Sequence, residues 1–245
     1  MQPENLSPQA WLERQPLQPS EQLFVILGNA SDANPLKAYQ QAAAIQAPSP
    51  IWADTAYAEW DAVMPYVGIV APDSEFLDWV ANTDAMDWGW LAVSSASQAV
   101  LVEHFRSLTK VLLPNGKQVF FRFWDGRHLL PILEGPEVDA SELLPLFKRC
   151  LINGQSLEIG ASAVSTTRVC PWWEVPLPLL DRLAGKDAAT QTNNLLTWLS
   201  EARPELYGAY SQSVLRHKVA AFVARSDLPR TPKEALADYL ISEQG

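Results

Sequence analysis

Few side chains in this 245-residue sequence could perform catalysis. Three histidines occur, His104, His128 and His217, and acyl transfer needs a nucleophile together with an oriented base. Two of them fall on predicted amphipathic helices, whereas His128 follows a predicted strand. No serine or cysteine segment stands out as its nucleophile. We therefore expect no catalytic residues and no enzymatic activity, and the alternative is a small α/β hydrolase or transferase that uses His128 and nearby carboxylates.

Two glycine-containing segments begin like functional motifs without completing them. Residues 28–32 (GNASD) follow a predicted strand, as a dinucleotide-binding loop does, but lack the second and third glycines that let a pyrophosphate approach. Residues 154–158 (GQSLE) begin like a nucleophile elbow, but a glutamate replaces the closing glycine. The two cysteines, Cys150 and Cys170, have no metal-binding spacing. The sequence predicts no cofactor and no metal site.

The charge of the chain argues against two classes of partner. Lys and Arg number 18 against 28 Asp and Glu, which gives a formal net charge of -10. Nucleic acids and anionic membrane surfaces require clustered basic residues, and the longest basic clusters here are pairs such as Lys148-Arg149. We expect neither partner. The N-terminus lacks signal-peptide features and no apolar run is long enough to span a membrane, which predicts a cytoplasmic protein.

Strands and helices alternate through the first part of the chain. Apolar runs predict buried strands at residues 23–27, 67–70, 89–93 and 118–124. The segments between them have helical spacing, and we expect another helix from Asp139 through Leu151. This alternation predicts an α/β domain, with a layered, mostly parallel sheet and flanking helices.

Composition sets the expected domain boundaries. Residues 1–20 are rich in proline and glutamine, which predicts an extended arm with a short helical turn. The α/β lobe covers residues 21–152, and the Gly, Ser, Thr and Pro of residues 153–175 predict a connection. Apolar stripes then predict a smaller all-helical lobe over residues 176–245, so the whole chain is α+β. We expect its last helix to have Thr231 as N-cap.

Charged residues around the fourth predicted strand form the most informative pattern. Arg122 lies between two phenylalanines, so we expect a half-buried guanidinium that needs a carboxylate or carbonyl partner. Asp125 ends the strand, where it can accept hydrogen bonds from the following turn, and Arg127 comes two residues later. The preceding helix carries Arg106.

This pattern resembles the signature of the effector-chaperone, or adaptor, family of bacterial type VI secretion systems. Members have a helix with a leucine–arginine step, a turn, and a strand that ends in Arg-Phe-aromatic-Asp-Pro-Arg. Residues 122–127 read Arg-Phe-Trp-Asp-Gly-Arg, so Gly126 departs from the family's proline. The likeness extends over about residues 21–240, from the opening strand to the helical tail.

The resemblance implies a carrier instead of a catalyst. Such a protein is cytoplasmic, needs no cofactor, binds a toxin effector and helps load it onto the VgrG spike protein for export. Arg106, Arg122, Asp125 and Arg127 are then the signature residues, either as an ion-paired structural corner or as partner contacts. An acidic immunity-type binding protein, which neutralises its partner, is a further alternative.

Tryptophan is abundant, with ten residues. We expect Trp90 and Trp124, on predicted strands, to be core residues. Trp172 and Trp173 are adjacent in the expected connection, where neighbouring side chains point in different directions. Interface hot spots favour tryptophan. Both are therefore candidate partner anchors, and the alternative for both is packing between the lobes.

Overall fold

The computed structural model describes residues 5–42, 46–160, 168–225 and 232–243. The chain divides into two compact units, unit 1 (Met1–Leu179) and unit 2 (Leu180–Gly245). Unit 1 combines helices with two sheets, and the described part of unit 2 is helical. Within the described ranges, no helix has the length and apolar character required to cross a membrane.

The elements of unit 1 alternate along the chain. Its strands are β1 (Gln22–Gly28), β2 (Ser49–Pro50), β3 (Pro65–Val70), β4 (Gly89–Ser94), β5 (Lys110–Leu112), β6 (Gln118–Phe120), β7 (Phe147–Ile152) and β8 (Gln155–Glu158). Its helices are α1 (Pro8–Arg14), α2 (Pro35–Gln41), α3 (Glu75–Asn82), α4 (Gln98–Ser107), α5 (Gly126–Leu133) and α6 (Ala140–Leu143), with a 3-10 turn at Asp61–Val63.

The main sheet is antiparallel, so the prediction of a mostly parallel sheet is wrong. Its strand order is β2-β3-β1-β4-β7-β8, and every neighbouring pair is antiparallel. The first strand lies in the middle, where Phe24 pairs with Ile69 on one side and Ala92 on the other. β3 and β4 run in the same direction across α3, but β1 separates them. Strand–helix alternation indicates such a crossover without indicating which strands become neighbours.

Both faces of the central strands are covered. Because successive strand residues point to opposite faces, Leu23, Val25 and Leu27 share one core with side chains from the flanking helices. The opposite face carries an aromatic layer, in which Trp90 contacts Phe105 and other rings. All six residues of β4 are buried. This double coverage explains why the strands read as continuous apolar runs.

The N-terminal segment packs against unit 1. α1 begins at an N-cap, Ser7, and contributes Trp11, which is only 2% exposed. The Trp11 indole N–H donates to the Ser156 hydroxyl at 2.9 Å, and the Arg149 guanidinium lies 4.9 Å from its ring centroid. The helical turn expected in this segment is present as α1, and Leu6, Trp11 and Leu12 pack in the core of unit 1.

Two elements end earlier than the sequence predicts. The fourth predicted strand stops at Phe120 and pairs with β5 in a separate two-stranded sheet. The helix predicted through Leu151 ends at Leu143, and β7 follows it. Asp139 is its N-cap as expected, but Pro145 disfavours helical geometry in the residue before it.

The expected connection contributes to unit 1. Asn153 and Gly154 both have positive φ and form a two-residue hairpin turn that joins β7 to β8. Further along, the Leu112 N–H donates to the Trp173 carbonyl and the Val175 N–H to the Leu112 carbonyl. Residues 173–175 thus cover the free side of β5.

Unit 2 contains α7 (Leu177–Ala202), which begins at the end of unit 1, and then α8 (Pro204–Gly208), α9 (Gln212–Val223) and α10 (Pro232–Ser242). Its core is aliphatic and aromatic, with Leu199, Leu215, Val219 and Leu240 almost fully buried. The predicted N-cap Thr231 lies outside the described residues.

Candidate functional site

A buried carboxylate organises the segment that follows β6. Asp125 is the N-cap of α5, and its Oδ1 accepts a hydrogen bond from the Arg127 backbone N–H at 3.0 Å. The whole residue has no solvent exposure. A buried carboxylate requires compensating charge or hydrogen bonds. We call Asp125, Arg122 and Arg127 the Asp125 corner.

Two guanidinium groups compensate the Asp125 carboxylate. Arg122 Nη2 donates to Oδ2 at 2.8 Å, while Arg127 donates to Oδ1 through Nε at 3.2 Å and to Oδ2 through Nη2 at 3.0 Å. Arg127 also pairs with Asp87 at 3.1 Å, and its hydrogen bond to Asp125 raises the pKa of its guanidinium. The side chains of Arg122 and Arg127 are 47% and 49% exposed, so only the carboxylate of these ion pairs is buried. The sequence predicts a carboxylate or carbonyl partner for Arg122, and Asp125 supplies the carboxylate.

His128 lies beside the corner. Its Nε2 is 3.7 Å from Asp125 Oδ2, which is longer than a hydrogen bond, and its side chain is 53% exposed. The carboxylate that would orient this histidine is instead engaged by the two arginines. In the part of the chain that the structure describes, no group of three His, Cys, Asp or Glu side chains could bind a metal. The geometry of the corner favours a positioning role for Asp125.

The aromatic segment before Asp125 is fixed from several sides. The Trp90 indole donates to the Phe123 carbonyl at 2.8 Å, and the Phe123 ring stacks on Phe105 at 4.8 Å between centroids. Trp124 packs so closely on Gly28 that a β-carbon there would lie 2.4 Å from its Cδ1. The Asp125 corner therefore joins the main sheet to the start of α5.

The structure explains why glycine occupies position 126, where members of the family that the sequence resembles have proline. A β-carbon at this buried glycine would lie 2.9 Å from Asn153 Nδ2 and 3.0 Å from Ile152 Cγ2. The β7–β8 turn thus occupies the space that a larger residue would need. Glycine lets the first turn of α5 approach that turn.

Arg106, the fourth signature residue, binds a different segment. Its Nε donates to the Ile51 carbonyl at 2.7 Å, and its Nη1 pairs with Glu103 at 2.6 Å. Asp54 lies 3.9 Å from Nη2. Arg106 therefore anchors the loop after β2 to α4, and the structure does not bring it into the Asp125 corner.

That loop forms an aromatic surface that the sequence interpretation missed. Trp52 is 1% exposed, its indole donates to Thr109 at 3.1 Å, and its ring contacts Trp124 at 5.3 Å. Tyr57, Trp60 and Phe120 surround it with centroid distances of 5.9, 6.3 and 6.1 Å. We call these three outer residues the aromatic patch. Trp60 is 45% exposed and Phe120 40% exposed, so the patch faces solvent.

The two candidate partner anchors have different surroundings. Trp173 is 7% exposed, and its ring lies 5.5 Å from that of Phe121 inside unit 1. Trp172 is partly exposed, donates from its indole to Ser107 at 3.0 Å and lies under the Arg168 guanidinium at 4.1 Å. Trp172 is therefore the one of the two with surface available to a partner.

Comparison with known families gives one result. Residues 23–142 match the family model described as a domain of unknown function, DUF4123. The DUF4123 region begins in β1, ends in α6 and contains all four signature residues. β7 and β8, which complete the main sheet, lie beyond it, as do Trp172 and Trp173. Neither the curated proteins nor the solved structures provide a match.

Proposed function

We propose that this protein is a cytoplasmic adaptor that binds a type VI secretion effector and helps load it onto the VgrG spike protein. The observation that carries the proposal is the Asp125 corner. The stretch that resembles the adaptor signature is the one that folds into a single ion-paired corner, with Arg122 and Arg127 on one buried carboxylate. The DUF4123 region covers this same stretch.

The geometry supports binding by a preformed surface. The Asp125 corner and Arg106 each fix a segment that leads to the aromatic patch: Arg106 anchors the loop with Trp52, and the corner follows Trp124. Exposed aromatic rings on a rigid scaffold are suited to partner anchoring, because they bury a large area at a small cost in side-chain entropy. The signature residues thus act as positioning residues for a binding surface.

Trp172 remains a candidate partner anchor in this proposal. Its Arg168 and Ser107 contacts already orient the ring, so a partner would lose little side-chain entropy by covering it. Truncation of a hot-spot tryptophan costs at least about 2 kcal/mol of binding energy, or about thirtyfold in affinity. We expect Trp172→Ala to bind the effector more weakly in calorimetry and to unfold like the parent. Unchanged affinity in a folded variant would remove Trp172 from the interface.

The proposed function is tested by affinity purification of the tagged full chain from cells that produce it. An adaptor recovers a large effector together with a VgrG spike protein. An immunity-type protein recovers a toxin domain alone, and that result contradicts the proposal. The proposal is also contradicted if the chain recovers neither protein although its near-ultraviolet circular dichroism spectrum shows that it is folded.

A further inference from the structure

The two-stranded sheet has one covered edge and one open edge. Between β5 and β6, the Phe121 N–H donates to the Thr109 carbonyl at 3.1 Å and the Leu113 N–H to the Lys117 carbonyl at 2.9 Å. Hydrogen-bonded and non-hydrogen-bonded pairs alternate along an antiparallel ladder. The backbone N–H and C=O groups of the odd-numbered residues of β6 and its flanks therefore point toward β5. Those of the even-numbered residues point away from β5.

In β6, the residues whose backbone groups point away from β5 are Gln118 and Phe120. In β5, the residues in register with them are Leu112 and Lys110, whose backbone groups point away from β6. On that outer edge of β5, residues 173–175 form hydrogen bonds with the Leu112 backbone. The backbone groups of Gln118 and Phe120 make no hydrogen bond to the described part of the chain. An exposed edge of this kind is a template for another strand.

The aromatic patch lies next to this open edge. The Phe120 ring is 5.0 Å from Tyr57 and 5.5 Å from Trp60 between centroids. Side chains of an added strand alternate in direction, so every second residue of a partner would lie beside Phe120 and Trp60. Backbone pairing and an apolar anchor site are thus available at one place.

Charge near the patch indicates the chemistry of the occupant. The loop that carries Tyr57 and Trp60 contains Asp54, Glu59 and Asp61 and has no Lys or Arg between residues 51 and 64. Glu59 and Asp61 are exposed and form no ion pair with another described residue. The Lys110 ammonium lies 5.4 Å from the ring centroids of Tyr57 and Phe120, so these two rings already have a cation beside them. A cation of the partner would therefore contact the Trp60 ring and the carboxylates of the loop.

We propose that the open edge of β6 and the aromatic patch bind an extended segment of the effector by strand addition. On the face of the added strand that covers the aromatic patch, the segment carries apolar residues together with Lys or Arg. Its backbone pairs with Gln118 and Phe120, its apolar side chains cover Trp60 and Phe120, and its basic groups pair with Glu59 and Asp61. This inference rests on the proposed function for the identity of the partner.

The first test is site-specific photocross-linking of the full chain in producing cells. Trp60→p-benzoylphenylalanine and Phe120→p-benzoylphenylalanine are expected to cross-link one segment of the effector, identified by mass spectrometry. Met86→p-benzoylphenylalanine is the matched control, because Met86 is similarly exposed, at 49%, and lies between α3 and β4.

The outcomes of the cross-linking test the edge proposal and the adaptor function independently. If the chain captures an effector that cross-links from neither position 60 nor position 120, the edge proposal is wrong and the adaptor function stands. Cross-links from positions 60 and 120 to a protein other than a secreted effector contradict the adaptor function and retain the surface. A folded chain that captures and cross-links nothing contradicts both.

The second test measures affinity for the cross-linked segment, prepared as a fluorescent peptide. Gln118→Pro removes an outward N–H without breaking the ladder to β5, and we expect about fivefold weaker binding, the effect of one hydrogen bond of about 1 kcal/mol in a strand pair. Gln118→Ala keeps that N–H and is expected to bind like the parent. Equal binding by both folded variants would rule out strand addition.

Two further variants test the side-chain contacts. Trp60→Ala is expected to weaken binding of the same peptide about thirtyfold. Combined Glu59→Gln and Asp61→Asn is expected to weaken it about threefold and to reduce its salt dependence. Unchanged affinity in Trp60→Ala, with a parental melting temperature, would show that the peptide binds elsewhere.

Discussion

Removal of the Asp125 carboxylate should destabilise unit 1 through two separable effects. Asp125→Ala removes the N-cap of α5, which costs about 1 kcal/mol. It also leaves Arg122 and Arg127 without their shared carboxylate. A fully buried pair would cost about 3–5 kcal/mol to break, but these side chains are half-exposed and water can solvate them. We expect a total loss of about 2–3 kcal/mol.

Asp125→Asn separates the cap from the charge. The amide oxygen can still accept from the Arg127 N–H, but the charge that compensates two guanidiniums is gone. We expect a loss of about 1–2 kcal/mol. Asp139→Ala is the matched control, because Asp139 caps α6 at an exposed site without an arginine partner among the described residues. Its Oδ1 accepts hydrogen bonds from the backbone N–H and the hydroxyl of Ser141. It should destabilise the chain less than either Asp125 variant.

Urea unfolding followed by tryptophan fluorescence measures these differences. Nine of the ten tryptophans lie in unit 1 and only Trp198 lies in unit 2, so the signal reports mainly on the unit that contains the corner. The free energy of unfolding comes from linear extrapolation. If both Asp125 variants lose no more than Asp139→Ala, the arginine pairs do not stabilise the fold and the corner requires another explanation.

Further predictions concern buried groups and close contacts. Burial lowers the pKa of His104 to about 4, so its contribution to stability is complete above pH 6.5 and decreases below it. By pH 5 the loss is about 2 kcal/mol, and a flatter urea-midpoint profile in His104→Gln would confirm the source. Gly28→Ala should cost at least about 1 kcal/mol in the same measurement, because its β-carbon meets an indole ring. Gly185→Ala, in open space on α7, should stabilise unit 2 by up to about 1 kcal/mol in urea unfolding followed by far-ultraviolet circular dichroism, which reports on the helices of unit 2. Burial also raises the pKa of the Cys150 thiol, so native protein should react with a thiol reagent through Cys170 alone, and reaction of both cysteines before unfolding would contradict the burial.

The sequence predicts the individual strands of unit 1 better than their arrangement. Continuous apolar runs indicate strands covered on both faces, and β1, β3 and β4 fit that description. Their order depends on long-range packing, which places β1 between β3 and β4 and makes the sheet antiparallel. No local pattern specifies that insertion.

A stronger local signal existed for the β7–β8 hairpin. Asn153-Gly154 lies between two alternating segments, and this dipeptide favours the positive φ values that a two-residue hairpin turn requires. Composition instead suggests a connection, because Gly, Ser and Thr follow it. Pro145 is a similar local signal for the end of α6.

Sequence reasoning about the site succeeds where the interaction is local. Arg122, Asp125 and Arg127 lie within six residues, so the expectation of a carboxylate or carbonyl partner for Arg122 needs no knowledge of tertiary structure. The aromatic patch joins Tyr57 and Trp60 to Phe120, some sixty residues apart in the chain, and only the folded structure brings those rings together. For the same reason, the sequence could not separate buried Trp173 from Trp172.

A secretion assay decides whether this protein carries an effector to the spike. We propose to delete its gene in a producing strain and to measure the effector and VgrG in the culture medium. The adaptor function predicts that the effector disappears from the medium while VgrG is still secreted, and that the full chain supplied in trans restores export. Effector export at the parental level without this protein would refute the adaptor function.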